Sequence, residues 1–227
     1  MIRSIVVVVA IAAAGLLAPS RARAQTGVPP LPARLAPATR ADIARLMDSA
    51  RVAGLPVAPL ADKAAEGVLK GADDARIVAA VRTLARELGD ARLLLGDVHD
   101  AVLLTATASA LHAGVAPPDL RRLARGRAGE PPDAHALASA LVTLVDLIAK
   151  QISPVSATSA VGELLERRAT DAQFTALRVE VDQDIRAGVA PDAALSKRVR
   201  SQAETLDALT PGGRPVKRPP PPPPAPR

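Results

Sequence analysis

The pentapeptide AGVAP occupies residues 113–117 and recurs unchanged at residues 187–191. A glycine just past the end of a helix adopts the left-handed conformation at little cost, and the aliphatic residue after it folds back onto the last helical turn. A proline then suits the first turn of the next helix, where its missing amide proton is not needed. Each copy therefore predicts a helix end followed by a helix start, and AGLP at residues 53–56 carries the same signal.

The spacing of these signals indicates an internal repeat. The two copies lie 74 residues apart, twice 37, and QISP at residues 151–154 stands halfway between them. Helical repeats commonly have periods in the thirties or forties. We therefore predict two helix–turn–helix units, residues 114–150 and 151–187. Their superposition aligns three pairs of apolar residues: Leu137 with Phe174, Leu144 with Val181, and Ile148 with Ile185.

Apolar residues recur at helical spacing from Thr39, which is predicted to cap the first helix, to about Leu209, and no useful strand-like alternation appears. Residues 91–113 and 134–150 are apolar on nearly all sides, which is typical of helices at the centre of a bundle. We predict an all-α domain over residues 39–210, with eight or nine paired helices in an irregular bundle or a short helical-repeat array.

Both ends of the chain differ from this domain. Residues 1–24 have a basic start, an apolar run of 13 residues from Ile5 to Leu17, and the small-x-small pattern Ala22-Arg23-Ala24. That run is too short to cross a bilayer. We therefore expect a signal peptide cleaved after Ala24, a periplasmic or secreted protein, and no transmembrane segment in the mature chain. Residues 25–38 are expected to form a proline-rich linker, and residues 211–227 a disordered, basic polyproline tail.

Charge and composition exclude several classes of function. Residues 25–213 contain 22 basic and 23 acidic residues, so the high pI belongs to the two ends, which argues against a nucleic-acid-binding domain. The chain has no cysteine, which excludes disulfides and lipid attachment through cysteine. Its single aromatic residue, Phe174, excludes base stacking and aromatic cages as main binding modes. No cofactor and no metal are predicted.

The stretch AGLPVAPLADKAAEGVLKGADDARI, residues 53–77, contains glycines and lysines but departs from the phosphate-loop pattern GxxxxGK[ST]. It is better explained as a helix surface, with Glu66 paired to Lys63 and Lys70, and as a hinge at Gly71. Gly67 is unfavourable within a helix. We therefore expect either a neighbouring helix or a bound ligand to pack closely against it.

The segment GLPVAPLADKAAEGVLKGADDARIVAAV, residues 54–81, resembles a segment of exported bacterial α-helical proteins of unassigned function. The resemblance covers about thirty residues closely and the rest of the helical region loosely. It implies an exported helical protein and carries no activity, so it assigns no functional residue.

Two groups of polar residues are candidate sites. In GDVHD, His99 lies between Asp97 and Asp100, and Asp146 lies within an apolar helix. A carboxylate in apolar surroundings is typical of functional sites. The alternatives are a solvated edge for the first group and an i,i+4 pair with Lys150 for Asp146. Together with Gly67, these residues form a possible polar site.

Basic residues form a second kind of candidate. One cluster lies in DLRRLARGRAGE and another flanks the run of prolines; together they comprise Arg121, Arg122, Arg125, Arg127, Lys217 and Arg218. Such clusters either form a solvated face or bind a protein or an anionic polymer of the cell envelope.

These observations favour a non-catalytic interaction or scaffold protein of the bacterial cell envelope. One alternative is a hydrolase or lyase with a dispersed site that uses His99, Asp100 and Asp146. The other is a periplasmic chaperone-like binder of apolar segments.

Overall fold

The computed structural model describes residues 30–96, 98–126 and 129–209. These residues form nine helices and no strand, which confirms the predicted all-α class. The helices are α1 (Pro37–Val52), α2 (Ala58–Leu69), α3 (Asp74–Leu95), α4 (Ala101–His112), α5 (Pro117–Arg125), α6 (Ala134–Ala149), α7 (Pro154–Glu166), α8 (Asp171–Arg186) and α9 (Pro191–Leu209). Within the described ranges, no helix combines the length and the apolar character needed to cross a membrane.

Six of the helices end in the same local structure. Two residues past the helix, one residue has a positive φ and its N–H donates to the carbonyl of the second-last helical residue. The next N–H donates to the carbonyl of the third-last helical residue. After α4, for example, Gly114 donates to Leu111 and Val115 donates to Ala110, both at 3.0 Å. The residues with positive φ in these six motifs are Gly54, Gly71, Gly114, Gln151, Arg168 and Gly188. The predicted helix ends at AGLP and at both AGVAP segments are therefore confirmed.

Gln151 shows that QISP takes the structural place of AGVAP. Its φ is 68°, in the left-handed region that favours glycine, and its N–H bonds to the carbonyl of Ile148. Ile152 then folds back and is buried, as Val115 is after Gly114. The equivalence rests on geometry that glutamine adopts less readily than glycine.

The predicted repeat of 37 residues is present in the helix boundaries. Helices α5, α7 and α9 begin at Pro117, Pro154 and Pro191, and both ends of α8 lie 37 residues after those of α6. The aligned residues Leu137 and Phe174 are both buried. The repeat is therefore a property of the fold.

The helices pack in two layers. Helices α3, α5, α7 and α9 contact one another in that order, and α4, α6 and α8 form the second layer, while α1 and α2 pack on α3. Two clusters of buried side chains result, one among α1–α4 and one among α4–α9. Helix α4 belongs to both, with Leu103 in one cluster and Leu104 in the other. Helix α4 therefore lies between the two cores and contributes side chains to both.

Two predicted helix starts were wrong. Helix α1 begins at Pro37, whose fixed φ suits the first turn, so Thr39 lies inside the helix and does not cap it. The hydroxyl of Thr39 instead donates to Asp74 of α3 at 2.7 Å. Pro56 does not open α2, which begins at Ala58 and has Pro59 in its first turn.

Residues 91–113 are not one central helix. Helix α3 continues through Gly89 to Leu95 and ends at Gly96, which has a φ of 72°. Helix α4 begins only at Ala101, where the side chain of Asp100 caps it. The apolar character of this segment therefore belongs to the end of one helix and the whole of the next, while 134–150 corresponds to the central helix α6 as predicted.

Candidate functional site

A groove of about 860 Å³ lies between two equivalent connectors of the repeat. One connector joins α5 to α6 (residues 126–133), and the other joins α7 to α8 (residues 167–170). The faces of α5 and α7 form its floor. We call this cavity the connector groove. Its volume is within the range of ligand and peptide pockets in proteins.

The groove exists because the two repeat units differ in one helix. Helix α5 has 9 residues and its counterpart α7 has 13. Gly126 ends α5 with a φ of 64°, and a Cβ there would lie 2.0 Å from the carbonyl oxygen of Glu130. Only glycine fits this turn. Pro131 and Pro132, in the connector that follows this shorter helix, line the groove.

The floor of the groove is apolar. Leu123 of α5 and Leu165 of α7 line it, together with Ala136 and Ala169. Gly162 allows α7 to approach α5 closely, because a Cβ at this position would lie 3.2 Å from Leu123 Cδ2. An extended chain segment with small or aliphatic side chains could cover this floor.

The rim of the groove carries an excess of negative charge. Four carboxylates line it, Glu130, Asp133, Glu166 and Asp171, against the guanidinium groups of Arg122 and Arg168. All four acidic residues are exposed.

The acidic residues of the rim are only weakly neutralised. Glu130 lies 3.9 Å from Arg168. Asp133 caps α6 through the amides of His135 and Ala136, and Asp171 accepts a hydrogen bond from Ser139. Within the described part of the chain, Asp133, Glu166 and Asp171 make no ion pair with lysine or arginine. The rim is therefore suited to a cationic ligand.

A smaller groove of about 510 Å³ lies between α7 and α9. Arg167 crosses it and pairs with Glu163 at 3.2 Å and with Asp207 at 3.1 Å. Two of its three carboxylates are thus engaged by Arg167, and Arg200 also lines the groove. This second groove offers less unpaired charge than the connector groove.

The arginine cluster lies beside the connector groove. Arg121 and Arg125 are exposed on α5, and Arg122 lines the groove and pairs with Asp119 at 3.0 Å. Arg127 lies outside the described residues, as do Lys217 and Arg218.

The residues of the predicted polar site have separate local roles. Asp100 caps α4 by accepting from the amide of Leu103 at 2.7 Å, and His99 Nε2 lies 3.3 Å from Arg92. Asp146 pairs with Lys150 at 2.8 Å, as the structural alternative expected. Asp97 lies outside the described residues.

The two described grooves are lined by neither these residues nor Gly67. Neither of these two grooves therefore brings the described polar-site residues together. In the described ranges, no group of three or more histidine, aspartate or glutamate side chains is placed to hold a metal ion.

Gly67 packs against a helix. A Cβ at this position would lie 2.7 Å from Ile77 Cγ1 on α3, and Ile77 is buried. Glu66 beside it pairs with Lys63 at 2.9 Å and with Lys70. Hydrogen bonds from Lys70 and then Lys63 lower the pKa of Glu66 to about 2. The alternative of a neighbouring helix therefore explains Gly67.

Gly67→Ala is expected to destabilise the protein by about 1 kcal/mol, because overpacking against Ile77 outweighs the higher helix propensity of alanine. Gly89→Ala is the matched control, since a Cβ there meets nothing within 4 Å. It should stabilise by roughly 0.5–1 kcal/mol. Urea unfolding followed by circular dichroism measures both. In an Ile77→Ala background, itself destabilised, Gly67→Ala should cause no further loss of stability. Equal stabilisation by both glycine variants would contradict this packing.

Comparison with protein-family models, with curated proteins and with solved structures finds no match to this chain. The class of protein is therefore defined by its own geometry. It is an all-α array of paired helices with an acidic-rimmed groove between two connectors.

Sequence reasoning found Arg122 but missed the other charged residues of the groove. Glu130, Asp133, Glu166 and Asp171 come from two segments that are distant in sequence. The signal that could have located the groove is the repeat itself. Gly126, the first residue of GRAGEPP, ends α5 in the first unit, whereas the second unit continues as helix α7 to Glu166.

Proposed function

We propose that this protein is an exported, non-catalytic interaction or scaffold protein of the bacterial cell envelope, and that it binds an extended segment of a partner protein in the connector groove. The observation that carries this proposal is the groove itself, with an apolar floor between Leu123 and Leu165 and an exposed polar rim. Binding sites typically combine an apolar surface with a few polar groups that orient the ligand.

The local roles of the polar residues favour binding over catalysis. Asp100 is engaged as a helix cap and Asp146 in an ion pair within its own helix. A general acid or base has to lie within hydrogen-bonding reach of a substrate in a cavity. Neither residue lines a described groove, so the enzyme alternative has less support than the interaction role.

A peptide selection tests the binding role. A phage-displayed library of random peptides is selected on the protein, and enriched peptides are then measured against two variants of α6. Ala136→Trp fills the groove, whereas Val142→Trp places the same side chain on an exposed face of the same helix. We expect Ala136→Trp to weaken binding at least roughly tenfold, or about 1.4 kcal/mol. Binding should be unchanged in Val142→Trp.

The proposal fails if no peptide is enriched, or if enriched peptides bind Ala136→Trp as tightly as the unmodified protein. Circular dichroism of both variants confirms that the helices are retained. Export rests on the sequence of residues 1–24 and has its own test. The protein recovered from the source bacterium should be in the envelope or secreted fraction and begin at Gln25; an intact leader in a cytoplasmic fraction would contradict export.

A further inference from the structure

We infer that the connector groove is occupied, when no partner is bound, by the chain's own basic proline-rich segment, residues 210–227. This inference rests on the proposed function because it uses the same groove. It adds a regulatory step, since a partner then has to displace the segment. The segment lies outside the described residues, and its assignment to the groove follows from position, charge and side-chain chemistry.

Position comes first. The described chain ends at Leu209 of α9, and Asp207 in its last turn bonds to Arg167 at 3.1 Å. The next residue along the chain from Arg167 is Arg168, which lines the groove. Gln202 Nε2 also donates to the carbonyl of Gln173 at 3.2 Å, so α9 runs toward the start of α8. The segment therefore leaves the described chain beside one connector.

The segment is long enough to reach the connector groove. A chain advances at most about 3.3–3.6 Å per residue, so residues 210–227 can extend over roughly 60 Å. That distance is greater than the length of a groove whose volume is about 860 Å³. The segment can enter the groove and still leave residues beyond it.

Charge supplies the selectivity. The segment contains Arg214, Lys217, Arg218 and Arg227 and no acidic residue. The rim of the connector groove carries four carboxylates against two guanidinium groups. The smaller groove is lined by Asp207 itself, but Arg167 already pairs with two of its three carboxylates, and Arg200 also lines it. Of these two grooves, the connector groove is the better match for a cationic segment.

The prolines of the segment are suited to the apolar floor of the connector groove. Proline has little side-chain entropy to lose on binding, so contacts between its ring and aliphatic side chains are opposed by a small ordering cost. Leu123, Leu165, Pro131 and Pro132 provide such contacts. The described residues place no aromatic side chain in this groove, so binding depends on the charges and should be weak for the segment as a separate peptide.

Tethering compensates for weak binding. A short flexible tether gives an effective concentration on the order of 1 mM. If the separate segment binds with a Kd of roughly 0.1 mM, the tethered segment fills the groove about nine-tenths of the time. A competing ligand then loses roughly tenfold in apparent affinity, because only the open fraction can bind it.

A single tryptophan reports occupancy, because the chain has none of its own. His135→Trp places the reporter at the groove. Leu93→Trp, at an exposed position of α3, is the matched control. Each is made in the full chain and in a full chain whose Arg214, Lys217, Arg218 and Arg227 are all replaced by glutamine. Fluorescence is recorded at about 50 mM and 500 mM NaCl, because exposed charge pairs are screened at high salt.

We expect the His135→Trp emission to lie at shorter wavelength in the unmodified segment background than in the glutamine background, at low salt only. Glu166→Lys should abolish this difference in emission wavelength, whereas Asp62→Lys, at an exposed position of α2, should not. The Leu93→Trp emission should be the same in both backgrounds. Equal His135→Trp emission in the two backgrounds overturns the inference, and so does a shift that requires high protein concentration, which indicates a second copy's segment.

The peptides selected on the groove separate the two proposals. If they bind, and the glutamine background strengthens their binding roughly tenfold, both the binding function and the inference are supported. If they bind equally in both backgrounds, the inference fails and the proposed function stands. If no peptide binds either background but the tryptophan shift is present, the groove holds only its own segment and the proposed partner function fails.

Discussion

Replacing Leu104 with alanine is expected to lower the free energy of unfolding by about 2–5 kcal/mol, since the side chain is fully buried and leaves a cavity. Leu104 lies on α4 and packs into the core of α1–α4. Its neighbour Leu103 packs into the core of α4–α9. Leu103→Ala should therefore destabilise the protein through the other core by a similar amount.

These variants test whether the two cores unfold together in one cooperative transition. Because one helix supplies side chains to both cores, we expect each variant to unfold in one cooperative step, with equal loss of protection in α2 and α8. Urea unfolding by circular dichroism and hydrogen exchange by mass spectrometry measure this. Val102→Ala, at an exposed position of the same helix, should change stability by less than about 0.5 kcal/mol.

Independent unfolding would contradict this account of α4. If Leu104→Ala exposed α1–α3 while α6–α9 kept full protection, the two cores would be separate cooperative units. The connector groove would then be insulated from changes in α1–α3, because its lining comes from α5–α8 and their connectors.

The local signals in the sequence predicted the fold well. A helix end depends on a few consecutive residues, so AGVAP and QISP located three helix ends and the starts of α5, α7 and α9. The period of 37 followed from their spacing. Pro56 was misassigned because proline is compatible with both a connector and a first turn, and nothing in the letters distinguishes them.

The site was less predictable because it depends on contacts between distant residues. Glu130 and Glu166 share a groove only because α5 is shorter than α7 and the two connectors come together. Asp146 looked functional because of its apolar neighbours in sequence, but its helix places Lys150 within 2.8 Å. The sequence could pose the alternatives for Gly67, and only the position of Ile77 decides between them.

Asp184 is the most consequential residue that the sequence did not single out. It is a buried carboxylate on α8, and Arg198 of α9 donates two hydrogen bonds to it at 2.7 Å, from Nε and Nη2. Lys197 adds a third at 3.2 Å, and Glu180 lies 3.6 Å from Arg198. The partners lie across a helix connection, so local sequence patterns do not reveal the pairing.

Acid is therefore expected to destabilise the protein through Asp184. The hydrogen bonds from Arg198 are the main cause that lowers the pKa of Asp184 from 3.8 to about 2; burial opposes this change, and Lys197 supports it. The folded chain thus binds this proton less readily than the unfolded chain. The stabilisation is complete above about pH 4 and is lost as the pH falls toward 2.

Asp184→Asn removes this dependence while nearly preserving the shape of the side chain. At pH 7 the variant should be markedly less stable, because Arg198 and Lys197 lose the buried carboxylate that they share. Between pH 4 and 2 its stability should vary less with pH than that of the unmodified protein. Urea unfolding at pH 7, 4, 3 and 2 measures both effects.

Glu66→Gln is the matched comparison for this effect. Glu66 also has a pKa lowered to about 2, so its carboxylate contributes to the same acid window. Its side chain is 42 % exposed, however, so solvent screens its pairs with Lys63 and Lys70, and the loss at pH 7 should be small. If Asp184→Asn and Glu66→Gln reduced stability equally at pH 7, or if Asp184→Asn kept the full acid dependence, the Asp184–Arg198 pair would not be the main source of acid-sensitive stability.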